Sequence, residues 1–363
     1  MHIRKCRRCG FPFWLSKMIR WEQNGTIVYT LAPDFRLVLI ESDLLGSIFT
    51  RIQDELGIPI SHLVFEAQRN AVAVGIDDLL GSFPLSLGRI GPNKYIVPRF
   101  FCRLSIWLGT AFAEVTRYRP GRIGEAIVRN PYNRELMAAL ISGAFEGLDH
   151  KPYQHAWKKM DGDDVISVTP TEDKPEISQR LTVSAPEIRP GSRNLPHCPS
   201  CGAPRDLSYL EWREEEGIVI DRRRNTRMNF IDGYTPGVVF RELEEELGVS
   251  IVPLIIKVGK ELGRRRLQDL GLPGNGKEKL AGAERQSFYE MALASLPLWG
   301  QGNPVSFEQE NGSLKVKVDN PYHEYLLAGQ MAALFESAEG MEAEVTWEMP
   351  EPSSITFLVR AAI

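Results

Sequence analysis

Four of the five cysteines in this 363-residue chain stand in two CxxC pairs, each followed by glycine: Cys6 and Cys9 in CRRCG, Cys198 and Cys201 in CPSCG. A tight turn of this kind lets two thiolates face one ion, and the glycine supplies the positive φ that closes it. Structural zinc takes four ligands in a tetrahedron, and each pair offers two. We therefore expect one zinc ion shared by Cys6, Cys9, Cys198 and Cys201. A redox CxxC is the alternative, but it needs a helix starting at the motif, and Pro12 and Pro204 follow instead; metal-free turns are the other. Five cysteines spread over a long chain are not a disulfide framework. Cys102, in RFFCRLSIWLG, reads as a core residue, and His197 is the one histidine beside a CxxC.

The pairs belong to a longer repetition. IRWEQNGTI matches LEWREEEGIVI, and DLLGSIFTRIQDELGIPI matches YTPGVVFRELEEELGVSI. VRNPYNRELMAALISGAFEGL matches VDNPYHEYLLAGQMAALFESA, Trp157 matches Trp347, and Trp107 falls near Trp299. Matches in constant order at a nearly constant offset mean a tandem duplication. We divide the chain into a first unit, 1–169, a linker rich in Pro, Ser and charge, 170–196, and a second unit, 197–363. RLTVSA in the linker could form a short strand.

The elements that must hold the cysteines follow from pattern. Short β-rich stretches around Trp21, Ile27 and Phe35–Ile40 predict a meander after each CxxC turn. Leu44, Leu45, Ile48, Ile52 and Leu56 fall at helical spacing after Ser42 or Asp43, with Gly57 as the stop. Further helices are expected from about Ile60 to Val74, near Phe100–Leu108, and from Asn130-Pro131 to Phe145. EVTRYRPGRIGEAIVR reads as a hairpin around Pro120-Gly121, and YQHAWKKM and DVISV as two closing strands. The fold class is thus α+β, each copy an antiparallel sheet with packed helices behind a zinc knuckle and meander. Duplicated units of this kind should pair about a two-fold axis as an internal pseudo-dimer.

The helix ending in ELG, the hairpin leading into NPY and the helix MAALISGAFEGL before a terminal hairpin resemble the 4-vinyl-reductase-type family of small-molecule-binding domains. That family shares a broad fold group with haem nitric-oxide-binding domains and trafficking-complex subunits. Its members act as aromatic-effector sensors and in bacteriochlorophyll biosynthesis. The resemblance implies a small, largely apolar ligand between sheet and helices. The family's C-terminal cysteines are absent here, in DGDDVISV and EPSSITFLV. Candidate lining residues are Phe101, Leu104 and Trp107 in the first copy and Tyr289, Leu293 and Trp299 in the second. Ordinary core is the competing account of the same positions.

Composition narrows the partners. Lys plus Arg number 43 against 47 Asp plus Glu, a net charge of −4, which disfavours broad nucleic-acid binding. The basic runs DRRRNTR and KELGRRR leave room for a local phosphate or acidic-partner contact, while RELEEELG reads as a solvated helix face. No apolar run reaches the ~18 residues of a membrane helix, and no secretory signal is evident, so no membrane partner and a cytoplasmic location are expected. No HExxH, GxSxG, phosphate-loop or dinucleotide motif occurs. The expected function is therefore a non-catalytic, zinc-containing protein that binds a small hydrophobic or aromatic molecule, or an accessory or scaffold subunit with a protein partner. Two alternatives stay open: an enzyme or carrier for a tetrapyrrole or aromatic compound, and a nucleic-acid-binding regulatory zinc ribbon.

Overall fold

The computed structural model describes residues 4–81, 83–173, 187–269, 279–310 and 312–362. In the first copy a one-turn helix α1 (Leu15–Met18) precedes β1 (Ile19–Trp21), β2 (Ile27–Tyr29) and β3 (Ala32–Glu41). There follow α2 (Leu44–Leu56), α3 (Ser61–Gly81), α4 (Val97–Leu108), β4 (Phe112–Arg119), β5 (Ile123–Arg129), α5 (Arg134–Asp149), β6 (Tyr153–Met160) and β7 (Asp163–Pro170). The second copy repeats this order. It has β8 (Leu210–Arg213), β9 (Ile218–Asp221), β10 (Thr226–Asp232), α6 (Thr235–Leu247), α7 (Val252–Asp269) and α8 (Gly282–Leu298). It closes with β11 (Asn303–Glu310), β12 (Ser313–Asp319), α9 (Glu324–Glu339), β13 (Ala343–Glu351) and β14 (Ser354–Ala361). The fold is α+β with antiparallel sheets, and the duplication is visible element by element.

The two meanders join edge to edge into one six-stranded sheet, ordered β1-β2-β3-β10-β9-β8. At its centre Leu37 faces Asp232, Met228 faces Glu41, and Leu39 faces Phe230. Leu37 and Met228 are equivalent in the duplication, as are Glu41 and Asp232, and Leu39 and Phe230. An approximate two-fold axis therefore passes through the Leu39–Phe230 pair, as the pseudo-dimer expectation requires. β3 reads as the unbroken run FRLVLI because both of its faces are covered. Leu37 and Leu39 face the cysteine turns, and Val38 and Ile40 face the helices. Each copy also closes its own four-stranded sheet, β4-β5-β7-β6 and β11-β12-β14-β13.

The copies exchange helices. α2 packs against α7 of the second copy, and α6 packs against α3 of the first. Gly57 and Gly248 end α2 and α6 in the left-handed conformation, where the chain turns away toward the long helices. The largest apolar cluster accordingly mixes Ile48 and Ile52 of the first copy with Val239, Leu243, Ile255 and Phe335 of the second.

Two arginines at equivalent positions, Arg36 buried and Arg227 half-buried, hold the exchange. The Arg36 guanidinium donates to the carbonyls of Gly300 and Asn320, both at 2.7 Å, and of Pro321 at 3.0 Å. Arg227 donates to the carbonyls of Asn130 at 2.6 Å and of Gly109 and Thr110 at 3.2 Å. Each copy's central strand thus clamps the Asn-Pro turn of the other. That turn needs the clamp because Asn130 and Asn320 sit at φ 48° and 52°, which breaks the strand ladder and frees its carbonyls. The helix expected from Asn130 starts later for the same reason. Asn133 caps α5, its side chain accepting from the Leu136 N–H at 3.0 Å.

Other differences from the sequence reading concern charge and the linker. RLTVSA lies outside the described residues. The end of the linker straps the junction between copies: the Arg193 N–H donates to the Gln23 carbonyl, and the Arg189 N–H to the Asn320 side chain. Glu242 in RELEEELG is buried rather than solvated. Much of the charge in the basic runs is also paired. Arg224 is enclosed between Glu41 and Asp221, Arg265 pairs with Glu41 at 2.8 Å and Asp43 at 3.1 Å, and Arg264 pairs with Glu336. Asp221 balances DRRRNTR from within the run, whereas Glu41, Asp43 and Glu336 come from distant segments, which composition alone could not place.

Asp221 gives this network a testable acid response. Burial works to raise its carboxyl, but Arg223 and Arg224 hold it below its ordinary value of 3.8. Its stabilising contribution is therefore fully present above that value and is lost as pH falls through the lower folded one. Asp221→Asn should cost about 3 kcal/mol at neutral pH, because Arg223 loses its carboxylate partner and Arg224 keeps only Glu41. The deficit should shrink in acid. Denaturation curves showing the same deficit from neutral pH down to about pH 3 would contradict this account.

Candidate metal centre

The two CxxC turns are built alike. The Cys6 N–H donates to the Phe11 carbonyl and the Gly10 N–H to the Cys6 carbonyl; the Cys198 N–H donates to the Ala203 carbonyl and the Gly202 N–H to the Cys198 carbonyl. Gly10 and Gly202 take φ of 78° and 86°, which a side chain would resist. Lys5 bridges Pro12, and His197 bridges Pro204, so each turn is pinched shut at its base. The His197 ring meets the Gly202 carbonyl at 2.8 Å, within its own turn, and is not one of the clustered ligands.

The dyad brings the turns together. Cys6 Sγ lies 3.9 Å from Cys198 Sγ, and Cys9 Sγ lies 3.4 Å from Cys201 Sγ. All four sulfurs fall within 4.8 Å of one another. Four thiolates around one ion at a metal–sulfur distance of ~2.3 Å must be roughly 4 Å apart. The cluster therefore has the dimensions of a four-thiolate metal site, with two ligands from each copy. Cys6, Cys198 and Cys201 are buried and Cys9 is partly covered.

The electrostatics fit a site that wants a cation. Burial opposes ionisation at Cys198, but the backbone N–H groups of Ser200 and Cys201 outweigh it and draw its pKa down to about 6. Burial, with the neighbouring thiols, pushes Cys9 up, and burial also raises Cys201. One thiolate forms readily while Cys9 and Cys201 hold their protons, which a divalent ion would displace. Lys17 donates to the Cys201 carbonyl at 3.3 Å, and Lys5 reaches across to the Trp212 carbonyl at 2.7 Å and Glu214 at 3.4 Å.

Beneath the sulfurs lies an aromatic floor drawn from both copies. Phe11 meets Trp212 at 4.8 Å and Trp21 at 5.8 Å between ring centres, edge to face. The Trp21 indole N–H crosses to the Leu298 carbonyl and the Trp212 N–H to the Trp107 carbonyl, both at 2.9 Å. These matching bonds make Trp107 the structural equivalent of Leu298, one residue short of the Trp107–Trp299 match read from sequence.

The structure places the six expected ligand-lining residues in three surroundings. Trp107 and Trp299 belong to the core under the sulfurs, with Leu104 packed against it. Tyr289 and Leu293 belong to the larger core shared by the copies. Phe101 is half-buried on α4 beside Phe100. Trp299 is committed elsewhere: its N–H donates to the Tyr209 hydroxyl at 3.1 Å, and the Arg266 guanidinium stacks on its ring at 3.5 Å. The Trp107 indole N–H, by contrast, is buried without an acceptor among the described residues. Two open clefts are present. One of about 920 Å³ covers the outer face of the β11–β14 sheet, and one of about 680 Å³ lies between α2 and α7. None of the six residues lines either.

No family model matches the chain, and no curated protein matches it. Among solved structures, the phenol-responsive sensory domain of the transcription activator PoxR, determined with phenol, is similar over 46% of this chain and 90% of that one. The sequence identity is 14% and the TM-score 0.34.

Residues that sequence reasoning passed over do much of the positioning. Arg36 and Arg227 were hidden inside strands, yet both occur at equivalent places in two otherwise divergent strands, a signal that was available. Glu146 and Glu336 likewise recur. Each is buried and accepts the first N–H of the strand after its helix, from Tyr153 at 2.8 Å and Ala343 at 2.9 Å. The DRRRNTR turn is absorbed by such contacts: Arg223 stacks over Tyr209 at 3.4 Å and pairs with Asp221 at 3.1 Å. Arg222, which is exposed, donates to the Tyr209 carbonyl at 3.4 Å and the Ser208 carbonyl at 3.1 Å.

Proposed function

We propose that the chain is a non-catalytic, internally dimeric binding protein. One zinc ion on Cys6, Cys9, Cys198 and Cys201 staples the copies together, and a small aromatic or largely apolar molecule occupies the interior of the first. The observation that carries this reading is the four-sulfur cluster, two sulfurs from each copy, at the spacing one ion demands. Zinc is the metal best matched to four thiolates in a tetrahedron, and having no redox chemistry it acts as a fastener. In this reading 1–169 and 197–363 are units of duplication joined by 170–196, not separately folding domains, because helices and clamps cross between them. Four thiols free of disulfides suit a reducing compartment such as the cytoplasm.

The ligand part draws on the resemblance to the 4-vinyl-reductase-type family and on Trp107. A buried donor without an acceptor costs roughly 1–3 kcal/mol. A phenol-like or carbonyl-bearing guest would relieve that cost while its ring packs among the apolar residues around it. Native mass spectrometry of the purified protein should show one zinc and an added small molecule. Tryptophan emission should shift when an aromatic compound binds, and Trp107→Phe should remove the shift without unfolding the chain. If neither mass nor thermal stability responds to any aromatic compound, the ligand part fails and the stapled scaffold remains.

A further inference from the structure

The first copy carries a surface that neither the metal nor the ligand reading uses. Between α3 and α4 the chain forms two 3-10 turns, Leu85–Arg89 and Gly91–Tyr95. Large apolar side chains stand out from this segment into water: Phe83 is 80% exposed, Ile90 62%, Ile96 59% and Tyr95 50%, with Leu87 and Phe100 close behind. Exposed apolar residues are ordinary when scattered, but six within one short stretch mark an interaction surface. The segment is tied down. Arg89 pairs with Asp77 at 2.6 Å, Asn93 donates to the Leu87 carbonyl at 2.9 Å, and the Tyr95 ring meets Tyr118 of β4 at 6.0 Å.

Charge gathers in the same place. From Phe83 to Ile123 there are seven basic residues, Arg89, Lys94, Arg99, Arg103, Arg117, Arg119 and Arg122, against the single carboxylate Glu114, in a chain whose net charge is −4. The contact between Tyr95 and Tyr118 sets the β4–β5 hairpin, with Arg117, Arg119 and Arg122, beside the apolar turns. Arg89 is spent on Asp77, and Arg117 lies 4.0 Å from Glu125. Lys94, Arg99, Arg119 and Arg122 make no ion pair among the described residues. The second copy has no counterpart in sequence: 270–281 contains neither an aromatic residue nor an isoleucine.

We propose that this surface docks on an anionic phospholipid membrane. Phe83, Ile90, Ile96 and Phe100 enter the boundary between headgroups and acyl chains, while Lys94, Arg99, Arg119 and Arg122 meet the lipid phosphates. A nucleic acid would satisfy the charges but leave the aliphatic side chains in water. Phe83, Ile90 and Ile96 project from turns and Phe100 from the first turn of α4, and none lines either cleft, which suits a fluid apolar medium. Hydropathy along the chain carries no sign of it, because a surface that lies on a bilayer needs no long apolar run.

Flotation of the full chain with phosphatidylcholine vesicles, with and without phosphatidylserine, tests the proposal. Binding should strengthen about tenfold or more with phosphatidylserine and weaken with salt. The pairs Lys94→Glu with Arg99→Glu, and Ile90→Ser with Ile96→Ser, should each lower apparent affinity about tenfold or more. Circular dichroism should be unchanged by either pair, because the mutated side chains support no core. Failure to bind either vesicle overturns the proposal, and so does binding that both pairs leave intact. Binding to duplex DNA that exceeds vesicle binding and is lost only with the charge pair would assign the surface to nucleic acid instead.

Discussion

Cys198→Ser should empty the metal site of the whole chain, not of half of it. The four sulfurs lie within 4.8 Å of one another and come in equal number from both copies. A three-sulfur remnant with one serine holds zinc far more weakly than four thiolates do. Metal content should fall from about one zinc per chain to under about a tenth, and Cys6→Ser, in the other copy, should do the same. If each turn held its own ion, either variant would keep half the metal. That comparison separates a shared ion from two independent ones. The stability cost should be large, because metal binding to a structural site counts as folding free energy. Zinc-finger peptides gain roughly 10–16 kcal/mol from their ion; here a large apolar core bears part of the load, so a loss of about 3 kcal/mol or more is expected. A strong chelator should reproduce the effect in the parent protein. Acid should as well, since zinc binding releases thiol protons and weakens as pH falls. A parent protein that purifies without metal and melts unchanged in chelator would remove the staple from the reading.

What the sequence made legible was punctuation. The CxxC-Gly turns, the glycine stops at Gly57 and Gly248 and the Asn-Pro turns recur in both copies because each fixes a backbone conformation that few residues adopt. They revealed the duplication, the α+β order and the two halves of the cysteine cluster. Partnership was not legible. The period of α2 says which of its faces is apolar, but nothing in it says that the face belongs on α7 rather than on α3. The charged runs misled for a related reason. Arg224 and Arg265 look like solvated cations until Glu41, far away in sequence, arrives beside both. Trp107 and Trp299 looked equivalent because tryptophan is rare, whereas the crossing indole bonds pair Trp107 with Leu298.

The clamps across the dyad should be the second most costly feature to remove. Arg36 is 2% exposed, and its guanidinium serves three carbonyls of the opposite copy. Burial pulls its pKa down to about 10, so it stays cationic at neutral pH and makes charge-assisted bonds. Arg36→Ala leaves the Gly300, Asn320 and Pro321 carbonyls without that donor, in a place where the turn cannot rebuild a ladder. Each stranded polar group costs roughly 1–3 kcal/mol, so a total near 4 kcal/mol is expected, less whatever water can recover. Arg36→Lys should recover only a fraction, because an ammonium group lacks the planar fork that spans three acceptors. Arg227→Ala should cost less, about 2 kcal/mol, since its bond to Asn130 lies at the surface. The two clamps sit on opposite sides of the axis and share no acceptor, so their effects should add within roughly 0.5 kcal/mol if the copies stay paired. A double variant much less costly than that sum would mean that losing one clamp already releases the other, and that the copies separate as a single event. Denaturant unfolding of the two single variants and the double decides between these outcomes, and a cost below about 1 kcal/mol for Arg36→Ala would show that the exchange is held by its apolar core alone.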